Sequence, residues 1–169
     1  DLRIASDDRR TILGLPEVKL GLVPGWAGTA RLPRITNLDA AIDLVTSGRL
    51  ISTSEASSIG LIDAIVPQES LIDEAIKMIH RVSTSESFIF DRKKIMGPVE
   101  NAGDMEQIVL KHGKRIIENK TIFPFAPTVA LEHMTRSASL PIKAAWNSES
   151  IAMSQVYGSP ASRGLINHF

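Results

Sequence analysis

The 169-residue chain has no cysteine, which excludes a disulfide framework, a thiolate zinc site and a cysteine nucleophile. It carries no net charge, because 19 Lys and Arg balance 19 Asp and Glu. No global basic field draws it to nucleic acid, so no nucleic-acid partner is expected. No apolar run approaches the roughly 20 residues that span a bilayer, so no membrane insertion is expected. The start is not a basic segment followed by an apolar stretch, so no targeting segment is visible. His80, His112, His133 and His168 show no H-E-x-x-H or comparable spacing, and no G-x-S-x-G elbow occurs. Neither a metal site nor a serine hydrolase is therefore expected. What the chain does have is ordinary for a core-forming protein: 43% hydrophobic and 22% charged residues, in a length that suits one domain.

Asp1 to Ser6 alternates like a strand, and a strand at residue 1 without an initiator Met predicts a chain whose earlier part is missing. Thr11-Ile12-Leu13 is a second extended run ended by Gly14, and Pro16 is placed to open a short helical turn. Gly21 to Thr29 holds three glycines and a proline, which mark tight turns before a short helix over 30–35. Asn37 reads as an N-cap for a helix with Leu38, Ala41, Ile42 and Val45 on one face, stopped by Gly48. Ser52 to Glu55 is a capping-box pattern for a helix that Gly60 ends. Leu61 to Val66 reads as a strand, and a helix from Ser70 carries the stripe Ile72, Ala75, Ile76 and Ile79. Ser83 to Ser87 is the best boundary, giving segments 1–83 and 84–169. Beyond it the pattern is helical, over about 104–119, 127–137 and 141–157, with a short helix near the end. The expected inward residues there are Ile108, Ile116 and Ile117, then Val129, Leu131 and Met134, then Ile142, Trp146 and Met153.

The glycine loop is the sharpest local feature. It lacks the Lys-Ser/Thr of a phosphate loop and the spacing of a dinucleotide fingerprint. By itself it is a plain helix start, or a place where free backbone N–H groups bind an anion. Glu17 lies between Pro16 and apolar residues: either it is solvated, or in a pocket its desolvated carboxyl becomes a proton donor near neutral pH. Arg31, Arg34 and Arg49 read as paired, solvated or phosphate-holding. Trp26 reads as core or pocket lining.

Leu15 to Gly25, continued by Thr29 to Arg34, resembles the central signature of the crotonase (enoyl-CoA hydratase/isomerase) family. Asp1 to Ser6, Ala40 to Gly48, Ile51 to Ala56, Gly60 to Asp63 and Val66 resemble that family's flanking segments in order. Phe125 to Ala130, and Glu149 to Phe169, are similar to the hydratase part of the multifunctional fatty-acid-oxidation proteins. The resemblance implies an α/β fold: residues 1–83 as the C-terminal portion of a spiral of strand-strand-helix units, and 84–169 as a helical cap over an acyl pocket. It implies an enoyl-CoA hydratase, a lyase of fatty-acid β-oxidation. The alternatives are a Δ3-Δ2-enoyl-CoA isomerase, or a crotonase-fold binding or assembly module without chemistry. Glu17 matches the glutamate that exchanges a proton with the α-carbon, and Gly25 the glycine against the reacting centre. Leu22 and Trp26 would line the substrate site. A first glutamate and two oxyanion N–H groups belong to sequence upstream of Asp1, so the isolated chain is expected to be inactive. No cofactor is implied beyond CoA as part of the substrate. The implied partners are an acyl-CoA and either an oligomer or a longer multifunctional chain, in a bacterial cytoplasm or an organellar matrix. Ala27 departs from the family, which has glycine there, and its Cβ crowds the loop if the backbone needs a positive φ.

Overall fold

The computed structural model describes residues 2–83, 95–99 and 103–168. β1 (Ile4–Ser6) pairs in parallel with β4 (Ala64–Val66), and β2 (Ile12–Gly14) pairs antiparallel with β3 (Leu50–Ser52). Between them come α1 (Gly28–Ile35), α2 (Leu38–Ser47) and α3 (Thr53–Ser58). After β4 the described elements are helical: α4 (Leu71–Ser83), α5 (Met105–Glu118), α6 (Phe125–Ser137), α7 (Ile142–Val156) and α8 (Pro160–His168), with a 3₁₀ turn at Gln68–Ser70. This is the expected α/β arrangement with a helical second part. The boundary expected at Ser83 to Ser87 lies, from residue 84, outside the described residues.

Local chemistry sets most element ends. Asn37 Oδ1 accepts from the Ala40 N–H at 2.8 Å, and Gly48 closes α2 with φ +58°. A Cβ at Gly48 would lie 2.9 Å from Val18 Cγ2, so glycine serves both the left-handed turn and the close packing. Ser52 Oγ accepts from the Glu55 N–H at 3.2 Å, but the reciprocal half of the capping box is not made. Glu55 instead accepts from Arg49 Nη2 at 2.6 Å. The register of β1 on β4 is fixed by Asp63, whose Oδ2 takes the Arg3 N–H at 2.7 Å and whose Oδ1 takes Arg3 Nη2 at 2.8 Å. The strand expected over 61–66 is shorter because Leu61 N–H bonds back to the Ala56 carbonyl and Ile62 turns into the core.

One apolar cluster joins the two parts. Val18, Leu38, Ile42, Val45 and Ile51 pack in the same buried group as Ile108, Ile116, Val129, Leu131 and Met134. α6 lies against α2, and α5 is tied to α2 by charge. Asp39 accepts from Lys111 Nζ at 2.6 Å and pairs with His112 Nε2 at 2.8 Å; one turn on, Asp43 accepts from Arg115 Nη1 at 2.7 Å. The i, i+4 spacing on both helices keeps the pairs in step.

Three expected faces hold only in part. On α4, Ile72, Ile76 and Ile79 are exposed, while Leu71, Ala75, Met78 and Val82 are half-buried, so the inward stripe lies one residue back. On α5, Ile117 is exposed and the buried line is Ile108, His112, Ile116. On α7, Trp146 is 56% exposed, and the buried line is Ala145, Glu149, Ala152, Val156. In the last two cases a polar residue with partners takes the place of a bulky apolar one. Among the described residues no helix is long and apolar enough to cross a membrane.

Candidate active site

Pro16 opens a 3₁₀ turn, Pro16–Leu20, and puts Glu17 at its second position. Val18 is fully buried and anchors the turn from below. Gly21 ends it at φ +69°, and a Cβ there would stand 2.9 Å from Ser162 Cα of α8. The C-terminal helix therefore rests directly on the turn. Leu22 N–H returns to the Glu17 carbonyl at 3.1 Å, which fixes the backbone around the carboxylate. Glu17 itself is half-buried. Its Oε2 is buried and accepts no hydrogen bond from any described residue. A buried carboxylate oxygen without a donor is costly, by about 1–3 kcal/mol or more for a charged group, so such an atom marks a place for an outside donor.

The loop after it supplies the second half of the site. Val23 and Pro24 are buried, and Gly28 N–H bonds to the Gly25 carbonyl at 2.9 Å. A Cβ on Gly25 would meet only Met153 Cε, at 4.0 Å, so open space borders this glycine. Leu22 is half-buried beside the turn. Trp26 is not core, being 89% exposed. Its backbone explains this: Trp26 and Ala27 both sit left-handed, at φ +57° and +61°, and the turn throws the indole outward. The departure from glycine at Ala27 thus falls on a position that does need positive φ, at roughly 1–2 kcal/mol for each such L-residue.

The loop is held by residues that the sequence reading did not single out. Glu149 of α7, only 3% exposed, accepts the Ala27 N–H on Oε1 at 2.8 Å and the Thr29 N–H on Oε2 at 3.0 Å. Its Oε2 also takes the Thr29 hydroxyl proton. The N–H groups of Ala27 and Thr29 at the start of α1 are therefore filled by the protein's own carboxylate, and that of Gly28 by the Gly25 carbonyl, which argues against the anion-binding reading of this helix start. A hydroxyl has one proton, so Thr29 Oγ1 must accept from His133 Nε2, 2.9 Å away, which places the ring proton on Nε2. The signal for Glu149 was a lone charge inside the small-residue line Ala145, Ala152, Val156.

Burial pushes the His133 imidazole down from its ordinary 6.5 to about 4. Its folded value lies below its unfolded one, so the unfolded chain binds the extra proton first. The stabilising contribution is complete above pH 6.5 and drains away as pH falls toward 4. Urea midpoints measured from pH 7 to 4.5 should fall more steeply for the wild type than for His133→Gln. Parallel curves would show that this ring does not govern acid stability.

The three arginines are occupied structurally. Arg34 donates to the carbonyls of Gly97 and Leu140 at 2.9 and 2.6 Å, Arg49 pairs with Asp43 and Glu55, and Arg31 donates to the Trp26 carbonyl.

The chain matches solved structures along nearly its whole length. One, an enoyl-CoA hydratase from Rhodobacter sphaeroides 2.4.1, superposes with a TM-score of 0.63 at 18% identity, over 99% of this chain and 53% of the other. An enoyl-CoA hydratase/isomerase from Pseudoalteromonas atlantica T6c gives 0.59 at 21% identity, over 100% and 52%. A carnitinyl-CoA hydratase from Mycobacterium avium gives 0.58 at 20% identity, over 96% and 49%. At these identities the likeness is one of fold, and the chain spans about half the length of each. The sequence model described as Enoyl-CoA hydratase/isomerase matches residues 1–111, which include Glu17, Gly25 and the whole loop. With that match over most of its length, this chain belongs to the enoyl-CoA hydratase/isomerase family.

Proposed function

We propose that the chain works as the second half of an enoyl-CoA hydratase, adding water across the 2,3-double bond of an enoyl-CoA thioester in fatty-acid β-oxidation. The observation that carries this reading is Glu17 Oε2, buried without a protein donor on the turn that leads to Gly25. In the reaction water adds its hydroxyl to C3 and Glu17 delivers a proton to C2; the proton that the water gives up passes to the water-positioning glutamate and restores Glu17 before the next turnover. The step is redox-neutral and needs no cofactor; CoA arrives as part of the substrate. Negative charge gathers on the thioester oxygen as the enolate forms, so two N–H donors must face it. The family resemblance puts those donors and the water-positioning glutamate outside residues 1–169. Gly25, Leu22 and Met153 would border the acyl group, and α7 and α8 would close over it.

The full-length enzyme should bleach the enoyl absorbance of crotonyl-CoA. Conversion of a 3-enoyl-CoA without hydration would assign the isomerase reaction instead, with Glu17 moving a proton between C2 and C4. Binding of acyl-CoA with neither reaction would leave a non-catalytic module. The 169-residue chain by itself should give no hydration above background. Losing one oxyanion donor alone slows such reactions about 10²–10³-fold. Turnover by the isolated chain at the rate of a full-length relative would show that the donors lie within residues 1–169.

A further inference from the structure

Asn37, Ser52 and Asp104 each cap the helix that follows them with their own side chain. α1 is built differently. Its N-cap residue is Ala27, whose side chain offers no acceptor, and the capping acceptor comes from Glu149, 122 positions later in the chain. The two carboxylate oxygens divide the work: one takes residue 27, the other takes both donors of residue 29. Glu149 reaches the loop because α7 approaches α1 closely through small residues, with Ala27, Ala30 and Ala145 in one buried group. The same contact holds a backbone that two L-residues adopt reluctantly, at Trp26 and Ala27. Gly25 is the next residue back, and its carbonyl is bonded within the loop to Gly28 N–H.

We propose that Glu149 is a positioning residue: from the C-terminal helices it sets the backbone of residues 25–29, and so the placement of Gly25 against the reacting group. The geometry carries the part about the loop, while the consequence for turnover rests on the function proposed above. Gln at 149 has nearly the same shape, but it presents an amide NH₂ where one oxygen now accepts. One or more donors at residues 27 and 29 then lose their partner. Hydrogen bonds to a charged acceptor are worth enough that amide exchange in residues 25–31 should speed up by about 10- to 100-fold.

The test uses the full-length enzyme with Glu149→Gln, Thr29→Val, and Glu149→Gln combined with Ala27→Gly. Hydrogen exchange is followed by mass spectrometry and kinetics are measured with crotonyl-CoA. The expected result is faster exchange confined to residues 25–31, with α2 unchanged, and a fall in kcat with KM held within about twofold. Gly at 27 adopts the left-handed turn without penalty, so the double variant should recover part of both effects, by roughly fivefold. Thr29→Val removes one of the three donors and should shift the same amides less; it decides the matter if Glu149→Gln does not fold. Unchanged exchange in the loop, equal acceleration across the chain, or a released loop with unaltered kcat in an active enzyme would each overturn the proposal. A wild-type protein without enoyl-CoA turnover, whose variants still release the loop, would defeat the proposed function and leave the loop assignment standing.

Discussion

Glu17→Gln is expected to slow enoyl-CoA hydration by roughly 10²–10⁴-fold in the full-length enzyme while changing acyl-CoA affinity no more than a few-fold. The side chain keeps its volume and its place on the 3₁₀ turn, where Val18 beneath it and the bond from Leu22 N–H to the Glu17 carbonyl fix the backbone. What changes is the atom at the unpartnered position: an amide neither gives up a proton to C2 nor takes it back. Binding changes little because Glu17 makes no side-chain hydrogen bond within the described residues that the substitution would break. Calorimetric titration with a non-reactive acyl-CoA and steady-state hydration rates separate the two quantities. Hydration at near the wild-type rate would show that another group carries the proton. Loss of affinity in proportion to rate would make Glu17 a binding group.

The turn that carries Glu17 and the bend that leads to Gly25 were legible because both are local: Pro16 opens the turn, and Gly21 ends it. The caps at Asn37 and Ser52 and the stop at Gly48 were legible for the same reason, since each depends on a few consecutive residues. The inward faces were legible only in part: Ile108, Ile116, Val129, Leu131 and Met134 are buried as expected, while Ile117 and Trp146 are exposed. A reading by bulk favours Ile142, Trp146 and Met153 on α7, and Ile142 and Met153 do pack against the buried clusters, but helices approach most closely where side chains are small. Ala145 and Ala152 therefore face inward, and Glu149 goes with them. A charge in that line is tolerated only because three donors from residues 27 and 29 meet it, and nothing near Glu149 in sequence announces them. Of the two readings of Trp26, core and pocket lining, its exposure removes the first: the left-handed backbone of its loop points the indole out.

The helical second part should stand or fall with the first, and one pair of substitutions distinguishes this from an independent unit. Met134 on α6 is fully buried, in the cluster that also holds Leu38, Ile42 and Val45 of α2. Met134→Ala removes three heavy atoms from that junction and should destabilise the chain by about 2–5 kcal/mol. In a chain of this size each kcal/mol lowers the Tm by about 2–4 °C, and the melt should remain a single transition. Trp146, with 56% of its surface exposed, should behave oppositely despite its size, and Trp146→Ala should cost no more than about 1 kcal/mol. Residues 104–169 expressed alone would keep the contacts of α6 with α5 and α7 but lose the α2 face that Met134, Val129 and Leu131 pack near. They should therefore melt without a sharp cooperative transition. A steep melt for that piece, or a Met134→Ala loss confined to one of two transitions in the whole chain, would show two separately folding parts. The buried cluster shared by α2 and α6 would then be a docking face between them.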